Sequence, residues 1–190
     1  MSAQMGCVGG VVLCESGFAH SDYLHTIKLR NFMNDDIDFL LMLHKHGWTT
    51  FLVNLNGTIH QVGASSVLSS PFHDITNMLL SLLNNENEII IKWFDEPGWN
   101  VIHVTRDKTE RHILSVEIGS CLDQSGNGYE KVADFKIKLK QLLVTMFYQL
   151  KKNYHLLTEK SFAKGRENEF AYERYRQLVK KIHSDFPGIL

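Results

Sequence analysis

Residues 88–119 read EIIIKWFDEPGWNVIHVTRDKTERHILSVEIG and contain three runs rich in β-branched and aromatic residues. Such runs have the composition of strands, and the Pro-Gly and polar sequences between them have the composition of turns. Strands joined by tight turns pair antiparallel. We therefore predict a three-stranded meander over 88–119, with strands at 88–95, 99–106 and 111–119.

The register of the last two strands decides which side chains are buried. Pairing Arg106 with Arg111 across the turn places apolar residues of both strands on the same face of the sheet. This register predicts the following core-facing residues: Trp99, Val101, His103, Leu114, Val116 and Ile118.

The sequence before the meander predicts a hairpin and a helix. Asn56-Gly57 lies between two strand-like runs and supplies the positive φ angles of a two-residue turn, which predicts a hairpin over 48–62. Ser70-Pro71 is a typical helix start, and apolar residues at three- and four-residue spacing continue the helix over 71–84. The apolar run 36–43 fits either a buried strand or a short helix.

The sequence after the meander predicts helices. Val132, Phe135 and Leu139 begin a helical spacing that predicts a helix over 130–154, and a second helix is predicted over 169–183. Strands in runs followed by helices indicate an α+β fold in which an antiparallel sheet packs against C-terminal helices. We expect a single domain over 1–190, with 130–190 forming its helical part.

Charge is distributed unevenly along a chain whose net charge is -1. Residues 1–129 contain 7 basic and 14 acidic side chains, whereas residues 130–190 contain 13 and 7. This distribution predicts an acidic sheet region and a basic helical region, a difference that bears on the choice of partner and not on the fold.

The cysteines and the N-terminal sequence predict a cytoplasmic location. Cys7, Cys14 and Cys121 form no CxxC pair, which favours a reducing compartment. No Lys or Arg precedes Lys28, so the basic start of a signal peptide is missing. No run approaches the ~20 apolar residues of a membrane span.

Histidines provide the main candidates for chemistry. His103 and His112, with Asp107 or Glu117 nearby, suggest one alternative function: a small enzyme using acid–base chemistry near the 99–118 hairpin. The His44-Lys-His46 sequence offers two metal ligands without a third at a recognisable spacing. The leading interpretation therefore assigns no catalytic, cofactor-binding or metal-binding residue.

Lysines of the predicted 130–154 helix suggest a third interpretation, nucleic-acid binding. Lys131, Lys138 and Lys152 would provide the phosphate contacts, with Lys136 and Lys140 nearby. The segment has neither a helix-turn-helix spacing nor an aromatic–basic RNA motif. We rank this interpretation last, because lysines opposite an apolar stripe usually form the solvated side of an amphipathic helix.

Two segments carry a resemblance to a known group of proteins. They are SPFHDITNMLLSLL at 70–83 and IKWFDEPGW at 91–99. Over residues 48–150 the chain resembles small bacterial α+β immunity proteins, which are encoded beside antibacterial toxins. The resemblance implies a stoichiometric inhibitor of a toxin domain that has no catalytic residues of its own. Because the toxin-facing residues of such proteins differ, it transfers no site residue.

Charge suggests where such a partner would bind. An acidic face suits a basic partner, such as a nuclease toxin domain, through electrostatic steering. A large aromatic side chain near that face would serve as an anchor, and the oligomeric state is left open. We predict the following partner-binding residues: Asp35, Asp36, Asp38, Asp95, Glu96 and Trp99.

Overall fold

A computed structural model describes residues 36–166 and 170–189, and it confirms the α+β fold. The described strands form two antiparallel sheets, sheet A (β1-β2-β3) and sheet B (β4-β5-β6-β7). The elements, in chain order, are β1 (Ile37–Leu43), β2 (Trp48–Leu55), β3 (Thr58–Ser65), α1 (Pro71–Leu83), β4 (Glu88–Asp95), β5 (Gly98–Arg106), β6 (Ile113–Cys121), β7 (Glu130–Lys138), α2 (Leu139–Leu156), α3 (Lys160–Ala163) and α4 (Tyr172–Asp185).

Sheet A contains the predicted hairpin. Asn56 and Gly57 have φ angles of 51° and 84°, and Leu55 pairs with Thr58 around them. The run 36–43 is resolved as the edge strand β1, which pairs antiparallel with β2. The boundary of a single domain at 1–190 stays a prediction, because residues 1–35 lie outside the described part.

The predicted helix over 130–154 is wrong in its first third. Glu130–Lys138 forms the edge strand β7, and the helix α2 begins only at Leu139. Ala133, Phe135 and Ile137 point into the core with a period of two. The helical C-terminal part therefore comprises α2 to α4, and 130–138 belongs to sheet B.

The predicted register of β5 against β6 is also wrong. Arg106 pairs with Leu114 instead of Arg111, a shift of an odd number of residues that reverses the face of one strand. The predicted core residues of β6, Leu114, Val116 and Ile118, are buried as expected. On β5 the buried residues are Asn100, Ile102, Val104 and Arg106, so Trp99, Val101 and His103 point outward.

The inner faces of both sheets share one hydrophobic core with the helices α1 and α2. Trp93 of β4 is fully buried there, and its indole packs edge-on against Phe51 of β2 at 5.9 Å between ring centroids. The Trp93 Nε1 donates a hydrogen bond of 3.0 Å to Asp74 in the first turn of α1. This contact fixes the predicted helix, observed at Pro71–Leu83, against the sheets.

Aromatic side chains pack the C-terminal helices together. Tyr175 of α4 stacks on Phe147 and Tyr154 of α2, and Phe170 closes the cluster against Phe72 of α1. Burial raises the pKa of Tyr175 to about 12. The cluster thereby connects the end of the chain to the helix that lies on the sheets.

Side chains of α2 contact the outer edge of β1, which is the end strand of sheet A among the described residues. The amide of Leu41 in β1 donates to Gln149 Oε1 at 3.2 Å. The Leu41 carbonyl accepts from Lys152 Nζ at 2.9 Å and from Asn153 Nδ2 at 3.1 Å. Both backbone groups face away from β2, so α2 satisfies them where a further strand would otherwise pair.

Candidate functional site

The structure separates the predicted partner-binding residues into two places. Asp36 and Asp38 are exposed at the start of β1 on sheet A. Asp95, Glu96 and Trp99 lie at the β4–β5 turn of sheet B. Asp35 lies outside the described residues.

Pairing registers show how far apart these places are. Asp38 pairs with Asn54 of β2, and Asn54 pairs with Ile59 of β3. Asp95 lies beside Gly63, which is four residues further along β3. Strand rise and spacing put the two positions on the order of 15 Å apart. They do not form one acidic cluster.

Asp95 has a structural contact between the two sheets. Asn100 Nδ2 donates to Asp95 Oδ2 at 3.1 Å and to the carbonyl of Gly63 at 2.9 Å. The Asp95 carboxylate lies so close to Gly63 that a Cβ there would be 2.4 Å from its Oδ1. The carboxylate is therefore engaged at the junction of β3 and β4.

Glu96 and Trp99 are better placed for a partner. Glu96 is exposed at the tip of the β4–β5 turn. Trp99 is half-buried and packs against Phe94 at 5.3 Å between ring centroids. Both aromatic residues belong to the side of sheet B that faces away from the core.

This side of sheet B presents a mixed surface that we call the outer face. Glu88 and Ile90 of β4 alternate with the partly buried Ile89 and the buried Ile91, and Ile90 is 55% exposed. Across the strands, Ile90 pairs with His103, His103 with Glu117, and Glu117 with Asp134. The outer face comprises Glu88, Ile90, Lys92, Phe94, Trp99, Val101, His103, Thr105, Ser115, Glu117, Asp134 and Lys136.

His103 and Glu88 form a hydrogen-bonded pair on the outer face. The distance from His103 Nε2 to Glu88 Oε1 is 2.9 Å, and the two side chains are 35% and 63% exposed. The Glu117 residue opposite His103 is bonded elsewhere, to Tyr129. The predicted partners for His103 were Asp107 and Glu117, so the carboxylate that the structure places beside it was missed.

Tyr129 covers a glycine of the outer face. Its ring occupies the place of a Cβ at Gly119, which would lie 2.3 Å from Tyr129 Cε2. Its hydroxyl donates to Glu117 Oε1 at 2.5 Å. Burial, followed by this hydrogen bond and the Glu117 charge, raises the pKa of Tyr129 to about 12. Tyr129 therefore keeps its proton and stays a donor at neutral pH.

The histidines proposed as metal ligands are not on a strand face. His44 precedes a 3-10 turn at Lys45–Gly47, and its Nε2 lies 3.0 Å from Thr50 Oγ1. His46 lies inside that turn with a φ angle of 61°. Within 36–166 and 170–189, no three His, Cys, Asp or Glu side chains are grouped to hold a metal ion.

The lysines proposed for nucleic-acid binding do not share a helix. Lys131 and Lys138 lie on β7, and Lys131 pairs with Asp134 at 3.0 Å. Lys152 is on α2, where it donates to Leu41 of β1, and burial lowers its pKa. The continuous basic helix face on which that interpretation depended is therefore absent from the described part.

The outer face could have been found from the sequence only with the correct register. Ile90 stands in a continuous apolar run, Ile89-Ile90-Ile91, which conceals the alternation. Tyr129 follows the polar, Gly-containing stretch 123–128, and nothing in the sequence indicates that its ring reaches Gly119.

No helix of the described residues is long and apolar enough to cross a membrane. No protein-family model, curated protein or solved structure matches the chain.

Proposed function

We propose that the protein is a cytoplasmic immunity protein that binds a cognate antibacterial toxin domain and neutralises it by stoichiometric, non-covalent inhibition. The outer face of sheet B supports the proposal most directly. It combines the exposed apolar side chain of Ile90 with the aromatic pair Phe94 and Trp99 and with charged groups on neighbouring strands. Such mixed aromatic, apolar and charged surfaces are typical of protein–protein interfaces.

The rigidity of this surface also favours binding of a preformed partner. Its side chains lie on four strands paired in register, so little conformational entropy is lost when a partner is bound. Exposed apolar groups continue beside it at Tyr129 and at Val132, the extra residue of a bulge in β7, which are 44% and 38% exposed. The segments that resemble immunity proteins form α1, β4 and the start of β5, which are part of the support of this surface.

Complex formation tests the proposal. The purified chain is mixed with the polypeptide encoded by the adjacent gene, and the complex is measured by light scattering and calorimetry. Toxin activity should fall linearly with added protein and reach its end point at one equivalent. Complete loss of toxin activity at a small fraction of an equivalent would instead indicate catalytic turnover and contradict stoichiometric inhibition.

A matched pair of substitutions tests the place of binding. Ile90→Asp puts a charge on the outer face of sheet B, whereas Ile59→Asp does the same on β3 of sheet A, where Ile59 is 65% exposed. A charge in the centre of an interface should weaken the complex about tenfold or more. Only Ile90→Asp should have this effect, and weakening by Ile59→Asp alone would place the partner on sheet A.

A basic partner surface is part of the proposal. Glu96 is exposed and, unlike Asp95, its side chain makes no hydrogen bond or ion pair with the described residues that a substitution would remove. Glu96→Lys should lower the association rate, and the difference from the wild type should shrink as salt is added. An association rate that is unaffected by the substitution at low salt would contradict a basic partner at the β4–β5 turn.

The His103–Glu88 pair supports a second candidate function, acid–base catalysis. A carboxylate 2.9 Å from an imidazole is the arrangement that orients a general base. His103→Ala separates the two candidates. If the protein is a stoichiometric inhibitor, the variant still reaches the end point of the toxin titration at one equivalent. If the protein is an acid–base enzyme, the variant loses its catalytic turnover.

A further inference from the structure

A depression at the opposite end of sheet B from the β4–β5 turn contains three basic side chains that the proposed function does not use. Its volume is about 420 Å3, within the range of small-molecule sites. It lies where the chain leaves α1 for β4 and where β5 turns toward β6. Six residues line it: Asn87, Glu88, Thr105, Arg106, Lys108 and Arg111.

Arg106 is the fixed centre of the depression. It is only 7% exposed, and backbone carbonyls hold its guanidinium. Nη2 donates to the carbonyl of Leu82 at 2.7 Å, Nη1 to that of Arg111 at 2.6 Å, and Nε to that of Glu86 at 3.2 Å. A guanidinium has five N–H groups, so two of those of Arg106 form no hydrogen bond with the described residues.

The positive charge of the depression has no acidic partner in the described part of the chain. Arg106, Lys108 and Arg111 form no ion pair with any residue of 36–166 or 170–189. Burial, followed by repulsion from Arg111, lowers the pKa of Arg106. Arg106 and Arg111 both line the depression, and an anion bound there would offset the repulsion between their positive charges.

The nearby carboxylates are engaged or exposed. Glu88 is bonded to His103 on the outer face. Asp107 Oδ1 accepts the amides of Glu110 and Thr109 within its own turn, and these hydrogen bonds lower its pKa. Glu86 and Glu110 are exposed and form no ion pair within the described residues.

We propose that this depression binds a phosphate group, carried by a small phosphorylated molecule or free in solution. Guanidinium groups bind phosphate oxygens through paired, charge-assisted hydrogen bonds. Arg106 would supply the fixed donors, Arg111 and Lys108 would close over the anion, and the hydroxyl of Thr105 lies on the same wall. The depression shares Glu88 and Thr105 with the outer face, but Arg106, Lys108 and Arg111 lie outside that face, so either site can fail alone.

Nuclear magnetic resonance titration of the full-length, 15N-labelled chain tests the site. Inorganic phosphate and glycerol phosphate are added separately at constant ionic strength, with chloride as the balancing anion. The amides of residues 105–111 and the Nε–Hε of Arg106 should shift and saturate. Tighter binding of glycerol phosphate would identify a phosphorylated small molecule, and equal binding would identify free phosphate.

Variants assign the response to the depression. Lys108→Ala and Arg111→Ala should each weaken binding by about tenfold. Arg111→Ala keeps the backbone carbonyl that holds Arg106 and removes one long hydrogen bond, from Nη2 to the carbonyl of Asn85 at 3.4 Å, so we expect the fold to be retained. Lys108→Ala is a second variant at an exposed turn position. Lys180→Ala on the exposed side of α4 is the control and should bind as the wild type does. Shifts that do not saturate, or that both lining variants leave unchanged, would overturn the proposal.

Discussion

Asp123 organises the loop between β6 and β7 with its own carboxylate. Its Oδ1 accepts hydrogen bonds from the Ser125 hydroxyl and from the amides of Ser125, Gly126 and Asn127. Its Oδ2 accepts a hydrogen bond of 2.7 Å from Asn127 Nδ2. The hydrogen bonds from the Ser125 and Asn127 side chains are the largest causes that lower the pKa of Asp123 from 3.8 to about 2. Only the ionised carboxylate accepts all of these hydrogen bonds, so loop structure depends on its charge.

The first prediction concerns the pH dependence of this loop. Because the pKa is lower in the folded chain, the carboxylate stabilises the loop fully above pH 3.8 and loses this effect as the pH falls through about 2. The carboxyl carbon resonance should titrate with a midpoint near 2. Ser125→Ala combined with Asn127→Ala should return the midpoint toward 3.8, and a midpoint already at 3.8 in the wild type would contradict the assignment.

At the same scale, Asp95 and Glu96 show what the sequence could not separate. Both are acids before Pro97-Gly98, and both were predicted to be free for a partner. Only Glu96 is exposed, because Asp95 contacts Gly63 and Asn100. Asp95 is engaged because β3, which is distant in sequence, lies beside it. The local sequence therefore cannot show which of the two adjacent carboxylates has a structural contact.

At the scale of elements, β7 shows how two periodicities can coincide. Val132, Phe135 and Leu139 fit helical spacing, and Ala133, Phe135 and Ile137 fit the alternation of a strand. The structure follows the alternation because β6 offers a pairing partner for 130–138. Tertiary pairing decides such cases, and it is not readable from a short window. The hairpin and α1 were predictable because Asn56-Gly57 and Pro71 act locally, the first pair through positive φ angles and Pro71 at the first position of the helix.

The second prediction uses hydrogen exchange to distinguish strand from helix at β7. Leu139 donates to the carbonyl of His112, and hydrogen-bonded pairs recur at every second residue of an antiparallel ladder. The amides of Ala133, Phe135 and Ile137 should therefore exchange slowly, whereas those of Asp134 and Lys136 should exchange fast. Uniform protection over 133–137 would indicate a helix and contradict the strand.

The β5–β6 connection explains why His103 was placed on the wrong face. The predicted turn was 107–110, but the connection runs to His112. The amide of Asp107 donates to the carbonyl of Ile113, and the amide of Ile113 donates to the carbonyl of Glu110. Buried Arg106 reaches the carbonyls of Leu82, Glu86 and Arg111 from this register. In this register Arg106 contacts the end of α1, and the sequence of the turn does not indicate that contact.

At the scale of the molecule, Gly63 marks the junction of the two sheets. Its missing side chain leaves room for the Asp95 carboxylate, and its carbonyl accepts from Asn100. The predicted division into an acidic sheet and a basic helical part does not describe this arrangement, because Lys131, Lys136 and Lys138 lie on sheet B. Charge and structure therefore divide the chain at different places.

The third prediction tests the junction. Gly63→Ala would displace the Asp95 carboxylate from Asn100 and should lower the free energy of unfolding by about 1–2 kcal/mol, measured by urea denaturation. Gly188→Ala is the matched control, since a Cβ there meets nothing within 4 Å. Asp95→Ala should have a smaller effect in the Gly63→Ala background than alone, and equal effects in both backgrounds would contradict contact between the two sites.

The covered edge of β1 has a consequence for the growing polypeptide on the ribosome. Asn153 follows Leu41 by 112 residues, so sheet A can assemble long before its edge is shielded. At translation rates of about 5–20 residues per second, this interval lasts on the order of 10 seconds. During that time the backbone amide and carbonyl of Leu41 lack the contacts that α2 supplies, and an unsatisfied strand edge can pair with other nascent chains. Unfinished chains are therefore prone to aggregation at this edge. In the completed protein, side chains of α2 satisfy the backbone groups of Leu41.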